Sequence, residues 1–257
     1  MKKLLLSAFV ICLAGTSIAQ ESPLWMRHCA LSPDGTTIAF TYKGDIYTVP
    51  STGGRATQIT TNPAFDTEPV WSPDSKQIAF ASDRMGSLDV FVVSSEGGAP
   101  QRLTTHSGSE KPVAYKDNKH ILFTANIAPS AEDAGFPSGQ FQQVYEVAVT
   151  GGRPAMFSSM PMECISINKE GVMLYQDKKG YEDYWRKHQV SPIARDIWTY
   201  TPGKKPVYQK QTTFGGEDRE PVWSPDGKSF YYLSEEKGSF NICLLYTSPS
   251  PRDKRQS

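Results

Sequence analysis

A Ser-Pro-Asp-Gly turn set between two apolar runs recurs along this 257-residue chain. Its clearest copy is Pro221-Val222-Trp223-Ser224-Pro225-Asp226-Gly227-Lys228-Ser229-Phe230-Tyr231-Tyr232. Proline fixes φ at the second turn position and glycine accepts positive φ at the fourth, so the stretch reads as two antiparallel strands joined by a tight turn. Leu31-Ser32-Pro33-Asp34-Gly35 and Trp71-Ser72-Pro73-Asp74-Ser75 are further copies, and Asp117-Asn118 and Glu170-Gly171 mark degenerate ones. The acidic residues Asp34, Asp74, Asp117, Glu170 and Asp226 are 40, 43, 53 and 56 residues apart. A period of about 40 to 50 residues is that of a four-stranded propeller blade.

The rest of each unit repeats too. Asp45-Ile46-Tyr47-Thr48-Val49, Gly53-Gly54 and Thr57-Gln58-Ile59-Thr60 have counterparts in Asp89-Val90-Phe91-Val92-Val93, Gly97-Gly98 and Arg102-Leu103-Thr104. In the third unit they are Val144-Tyr145-Glu146-Val147, Gly151-Gly152 and Ala155-Met156-Phe157. Each unit is an inner strand, a turn and three further strands, and such a sheet must stack on its neighbours to bury both faces. The expected fold is an all-β propeller of about four complete blades and part of a fifth, an incomplete ring spanning residues 23–242. Ser75 is expected to take a left-handed conformation in place of glycine, and Asn118 to tolerate one.

Two insertions break the regularity, 126–140 in the third unit and 177–194 in the fourth, where Tyr181, Tyr184 and Trp185 can pack over a blade edge or meet a ligand. The C-terminus departs more sharply. Cys243 to Asp253 reads like a translation of a transposon-end sequencing adapter, so residues 243–257 are expected to be an artefact of the sequence and the unit they interrupt to be cut short.

At the other end, Met1-Lys2-Lys3, an apolar run from Leu4 to Ala14, and Ser17-Ile18-Ala19 have the order of a secretory signal peptide over residues 1–19. The run is shorter than a spanning helix needs. The expectation is a periplasmic or secreted protein with no membrane attachment after cleavage. With 27 basic and 27 acidic residues, nothing in the overall charge favours a nucleic-acid partner. Export permits disulfides, but Cys29 and Cys164 fall in different units, which predicts two free, buried thiols far apart.

Signatures of catalysis are absent from the sequence: it has no G-x-S-x-G, H-E-x-x-H or C-x-x-C, and no phosphate-binding glycine loop. His28, His106, His120 and His188 lie in different units and read as surface or turn residues. The turn acids Asp34, Asp74 and Asp226 would sit one per blade, too dispersed for the several oxygens a metal needs. No catalytic, metal or cofactor residue is therefore assigned.

With their Asp-Ile-Tyr, Asp-Val-Phe and Asp-Ile-Trp partner strands, these repeats resemble the TolB-type, WD-like propeller repeat. The stretch from Pro23 to Ile242, above all Tyr184-Trp185-Arg186-Lys187-His188 followed by Ser191-Pro192-Ile193-Ala194-Arg195-Asp196-Ile197-Trp198, resembles the N-terminal propeller of exported bacterial tricorn-type serine peptidases. The resemblance implies a parent with PDZ-like and serine peptidase domains, peptides as substrates, a possible homo-oligomer, and a propeller that guides peptides without catalytic residues of its own. A periplasmic TolB-like binding scaffold without chemistry is the competing reading, and an α/β-hydrolase-type peptidase a third.

Overall fold

The computed structural model describes residues 25–127, 141–180 and 190–247. Blade 1 is β1 (Arg27–Leu31), β2 (Thr37–Tyr42), β3 (Asp45–Pro50) and β4 (Thr57–Gln58). Blade 2 is β5 (Asp66–Trp71), β6 (Gln77–Ser82), β7 (Asp89–Ser94) and β8 (Gln101–Arg102). Blade 3 is β9 (Lys111–Asp117), β10 (His120–Ala125), β11 (Gln143–Ala148) and β12 (Ala155–Ser158). Blade 4 is β13 (Met162–Ile167), β14 (Met173–Asp177), β15 (Ile197–Thr201) and β16 (Val207–Lys210). Blade 5 has three strands, β17 (Asp218–Trp223), β18 (Ser229–Ser234) and β19 (Asn241–Tyr246). Every sheet is antiparallel and pairs its strands in chain order, so the expected propeller is what the chain forms.

The turn at the head of each β-hairpin explains its own composition. Ser32, Ser72 and Ser224 donate through Oγ to the carboxylates of Asp34, Asp74 and Asp226 at 2.6, 2.7 and 2.6 Å. Each Asp in turn accepts a backbone N–H two residues on, from Thr36, Lys76 and Lys228. These bonds, the serine hydroxyls foremost, hold all three carboxyls below the usual range. The Asp residues therefore serve the turn.

Ser75 takes the left-handed conformation, at φ 59°. Asn118 does not: the third turn is shorter, and Asp117 Oδ1 accepts from the N–H groups of Lys119 and His120 instead. Both departures from glycine have one cause. Ser75 Oγ accepts the N–H of Asp34 at 3.3 Å and Asn118 Oδ1 accepts that of Asp74 at 3.1 Å, each tying its turn to the turn of the preceding blade.

Blades stack through apolar faces. Ala39, Ile46 and Ile59 of blade 1 meet Trp71, Ile78, Phe80 and Phe91 of blade 2. The other side of blade 2, with Ala79, Val90 and Val92, meets Tyr115, Ile121 and Phe123 of blade 3. Leu122 and Val144 continue the stack to Met173 and Tyr175 of blade 4, and Leu174 and Ile197 to Phe230 of blade 5. Strand packing runs from blade 1 to blade 5 in sequence; among the described residues no comparably packed strand pair joins blade 5 to blade 1. No helix among the described residues is long and apolar enough to cross a membrane.

Candidate functional site

The inner strands β1, β5, β9 and β13 wall a cavity of about 400 Å³ on the propeller's central axis, open to solvent. It falls in the size range of small-ligand sites. Its position follows from the fold: blades 1 to 4 each contribute the first strand, so the cavity collects one strand segment from each of these four repeats.

Each of these segments is bulged, as is the first strand of blade 5. Pairing slips by one residue between Arg27 and Ala30, Thr67 and Val70, Glu163 and Ser166, and Arg219 and Val222. The residue at the bulge has a left-handed backbone in every case: His28 (φ 50°), Glu68 (54°), Cys164 (51°) and Glu220 (54°). Each lies three positions before the end of its strand, at Leu31, Trp71, Ile167 and Trp223. The corresponding residue in blade 3 is Pro112, whose ring forbids positive φ, although its strand also slips here, between Pro112 and Ala114. A bulge re-aims its side chain. His28, Glu68, Pro112 and Cys164 accordingly line the cavity.

Charged groups surround the ring. Lys111 donates to Glu68 at 2.7 Å, and His28 Nδ1 lies 2.9 Å from Thr67 Oγ1. Glu163 is held by Lys178 at 3.0 Å, by Arg195 Nε at 3.1 Å and by Gln176 Nε2 at 3.1 Å. Burial opposes ionisation of Glu163, but the bonds from Lys178 and Gln176 outweigh it and keep its carboxyl below the usual range. Arg195 also donates to Glu217 at 2.7 Å. Gln176 Oε1 accepts the N–H of Glu220 at 2.7 Å, which fixes that bulge. The Glu220 carboxylate has no hydrogen-bond or ion-pair partner among the described residues. Desolvation by the cavity wall, with Glu163 and Glu220 next in effect, pushes the Cys164 thiol up to about 12.

Two expectations about cysteine need correction. Cys29 and Cys164 are free, but both are exposed and both line this one cavity. Separate blades do not place inner-strand residues far apart, because radial symmetry brings those strands together. His28 also departs from expectation by facing the cavity, whereas His106 accepts from Gly108 N–H in a turn and His120 pairs with Asp117. His188, Tyr181, Tyr184, Trp185 and most of the 126–140 insertion lie outside the described residues. The repeated Glu-Pro-Val-Trp at Glu68–Trp71 and Glu220–Trp223 is the sequence signal that could have drawn attention to the bulge.

A chain of radial four-stranded blades with WD-like turns defines a TolB-type β-propeller. The sequence profile of the tricorn protease N-terminal β-propeller domain matches residues 23–255, and the chain belongs to that family. Tricorn protease homolog 1 of Streptomyces coelicolor is 39% identical over 209 residues, 80% of this chain and 19% of that protein. The peptidase YuxL of Bacillus subtilis is 32% identical over 108 residues, 37% of this chain and 16% of the other. The chain thus spans less than a fifth of either peptidase relative. In shape it is similar to the tricorn protease (TM-score 0.69, 17% identity, 88% of this chain, 22% of that one) and to TolB from Acinetobacter baumannii (0.61, 18%, 86% and 52%). The chain is a propeller module related to peptidases.

Proposed function

We propose that this chain is the substrate-access propeller of an exported tricorn-type serine peptidase, guiding extended peptides along its axial cavity towards a catalytic domain it does not itself contain. The observation that carries the reading is the cavity, walled by inner strands whose bulges present polar side chains to its interior, in a member of the tricorn propeller family. A signal peptide at residues 1–19 would deliver the protein to the periplasm or outside the cell. Residues 243–257 would be adapter-derived sequence standing where further blades, a PDZ-like domain and a peptidase domain continue the parent, although Cys243 to Tyr246 pair with β18 here.

Fluorescence anisotropy of labelled extended peptides tests the access role. Binding is expected for the wild type and is expected to fall about tenfold or more in Val113→Trp, which fills the cavity. Unchanged binding in that variant would overturn the reading. Extending the reading frame on intact genomic sequence separates it from a TolB-like scaffold: a peptidase domain supports access, a stop soon after the last blade supports the scaffold, and a G-x-S-x-G domain points to an α/β-hydrolase-type parent.

A further inference from the structure

We infer that the axial cavity selects an uncharged, apolar side chain of the peptide, with Pro69, Val70, Pro112, Val113, Pro161 and Met162 as the surface that recognises it. The inference rests on the access role just proposed and deepens it by naming the kind of side chain the cavity favours.

The polar side chains at the bulges are already engaged within the wall. Glu68 pairs with Lys111 at 2.7 Å, and Lys178 pairs with Glu163 at 3.0 Å. Arg195 and Gln176 hold the same Glu163 carboxylate from behind, each at 3.1 Å. His28 shares a hydrogen bond with the buried Thr67 hydroxyl. Cys29 and Cys164 are free thiols, which behave as small apolar groups. Each acidic and basic side chain lining the cavity thus has an opposite charge beside it. A lysine or glutamate side chain entering here would give up water and meet only charges that are already paired, which makes its transfer unfavourable.

Recognition through the peptide backbone is disfavoured too. Strands β1, β5, β9 and β13 are each an edge of their sheet, and an edge strand ordinarily offers N–H and C=O groups to an incoming strand. Pro69 in β5, Pro112 in β9 and Pro161 immediately before β13 have no N–H, so three successive blades each lack a donor beside the cavity. What these segments supply instead is hydrocarbon, as Pro-Val in blades 2 and 3 and Pro-Met in blade 4. Thr124 and Gln142 add uncharged polar groups that can hold a peptide amide. Selectivity therefore falls to burial of an apolar side chain against the proline rings and the Val70 and Val113 side chains.

The test measures fluorescence anisotropy on the whole chain with four labelled nine-residue peptides, alike except for Leu, Gln, Lys or Glu at the centre. The Leu peptide is expected to bind about tenfold more tightly than the other three, and to keep that lead at high salt, which screens charge but not burial. Val70→Thr and Val113→Thr, which place a hydroxyl on the wall, should each cut the lead by about threefold. Lys111→Gln, which removes the partner of Glu68, should bring the Lys peptide about threefold closer to the Leu peptide at low salt. The wild-type series decides the matter even where a threonine variant fails to fold. Equal binding of the four peptides, tighter binding of the Lys or Glu peptide, or a lead untouched by both threonine variants overturns the inference while leaving the access role standing. If no peptide binds, the access role fails and takes the inference with it.

Discussion

At the scale of single residues, Ser75 and Asn118 show why a repeat departs from its own consensus. Glycine would suit the fourth turn position of blade 2 better on conformational grounds, since a left-handed non-glycine residue costs roughly 1 to 2 kcal/mol. The Ser75 hydroxyl instead catches the N–H of Asp34 in the neighbouring turn, as Asn118 catches that of Asp74. The turn aspartates make a testable prediction. Their folded pKa values are depressed, so their contribution is present above the unfolded value of 3.8 and is lost as pH falls through the folded one. A triple D34N/D74N/D226N variant should be less stable than the wild type at pH 7, and the two should converge below about pH 3 in urea titrations. Trp71 carries more weight: it is buried and donates through Nε1 to the Ala30 carbonyl of blade 1 at 3.0 Å. Trp71→Ala should cost about 3 kcal/mol or more in equilibrium unfolding.

At the scale of elements, the junctions between blades share a polar device beside their apolar contact. Thr60, Thr104 and Thr212 accept through Oγ1 the N–H groups of Ile46, Val90 and Ile197. Six residues after each Thr comes an acid that opens the next inner strand, Asp66, Glu110 or Asp218, opposite an acid of the preceding blade, Asp45, Asp89 or Asp196. The third junction has Gln143 and Met162 at these positions, so both acids are missing together, as expected if they act as a pair. Arg84 pairs with Asp66 and Arg102 with Asp89, while Asp196 is held by Lys179 and Lys210. Burial first, then the facing acid, raises Asp45, Glu110 and Asp218. A raised carboxyl binds its proton more tightly in the folded state, so this stability is fully present below the unfolded value and is lost as pH rises through the folded one. Glu110→Gln, which removes a fully buried charge facing Asp89, should therefore stabilise by about 1 kcal/mol at pH 8 and do little at pH 4, read by thermal melts at the two pH values.

At the scale of the whole molecule, the two ends of the stack expose faces that every other junction buries. Tyr231 corresponds to Ala79, and Ile242 to Val90; the blade 2 residues are 0% exposed, their blade 5 counterparts 46% and 78%. Leu244 on the same face and Leu31 on blade 1 are exposed as well. Apolar faces of this kind lead to association. Sedimentation velocity at micromolar concentration should show heterogeneous oligomers, and Tyr231→Lys with Ile242→Lys should shift the distribution towards monomer. A monodisperse wild-type monomer with a single cooperative unfolding transition would contradict this.

The propeller was legible because blade period, turn chemistry and strand alternation are local: Ser-Pro-Asp-Gly closes its own turn, and side chains alternate by strand geometry wherever the strand lies. The cavity was not, because it is a property of the axis rather than of any segment. Nothing near Cys29 or Cys164 in the sequence indicates that the two share a wall, and spacing by units suggests the opposite. His28, Glu68 and Cys164 meet only because radial stacking gathers first strands at the centre, and their left-handed bulges arise from a pairing slip that depends on the neighbouring strand. Local sequence determined the blades; packing between blades decided what those blades surround.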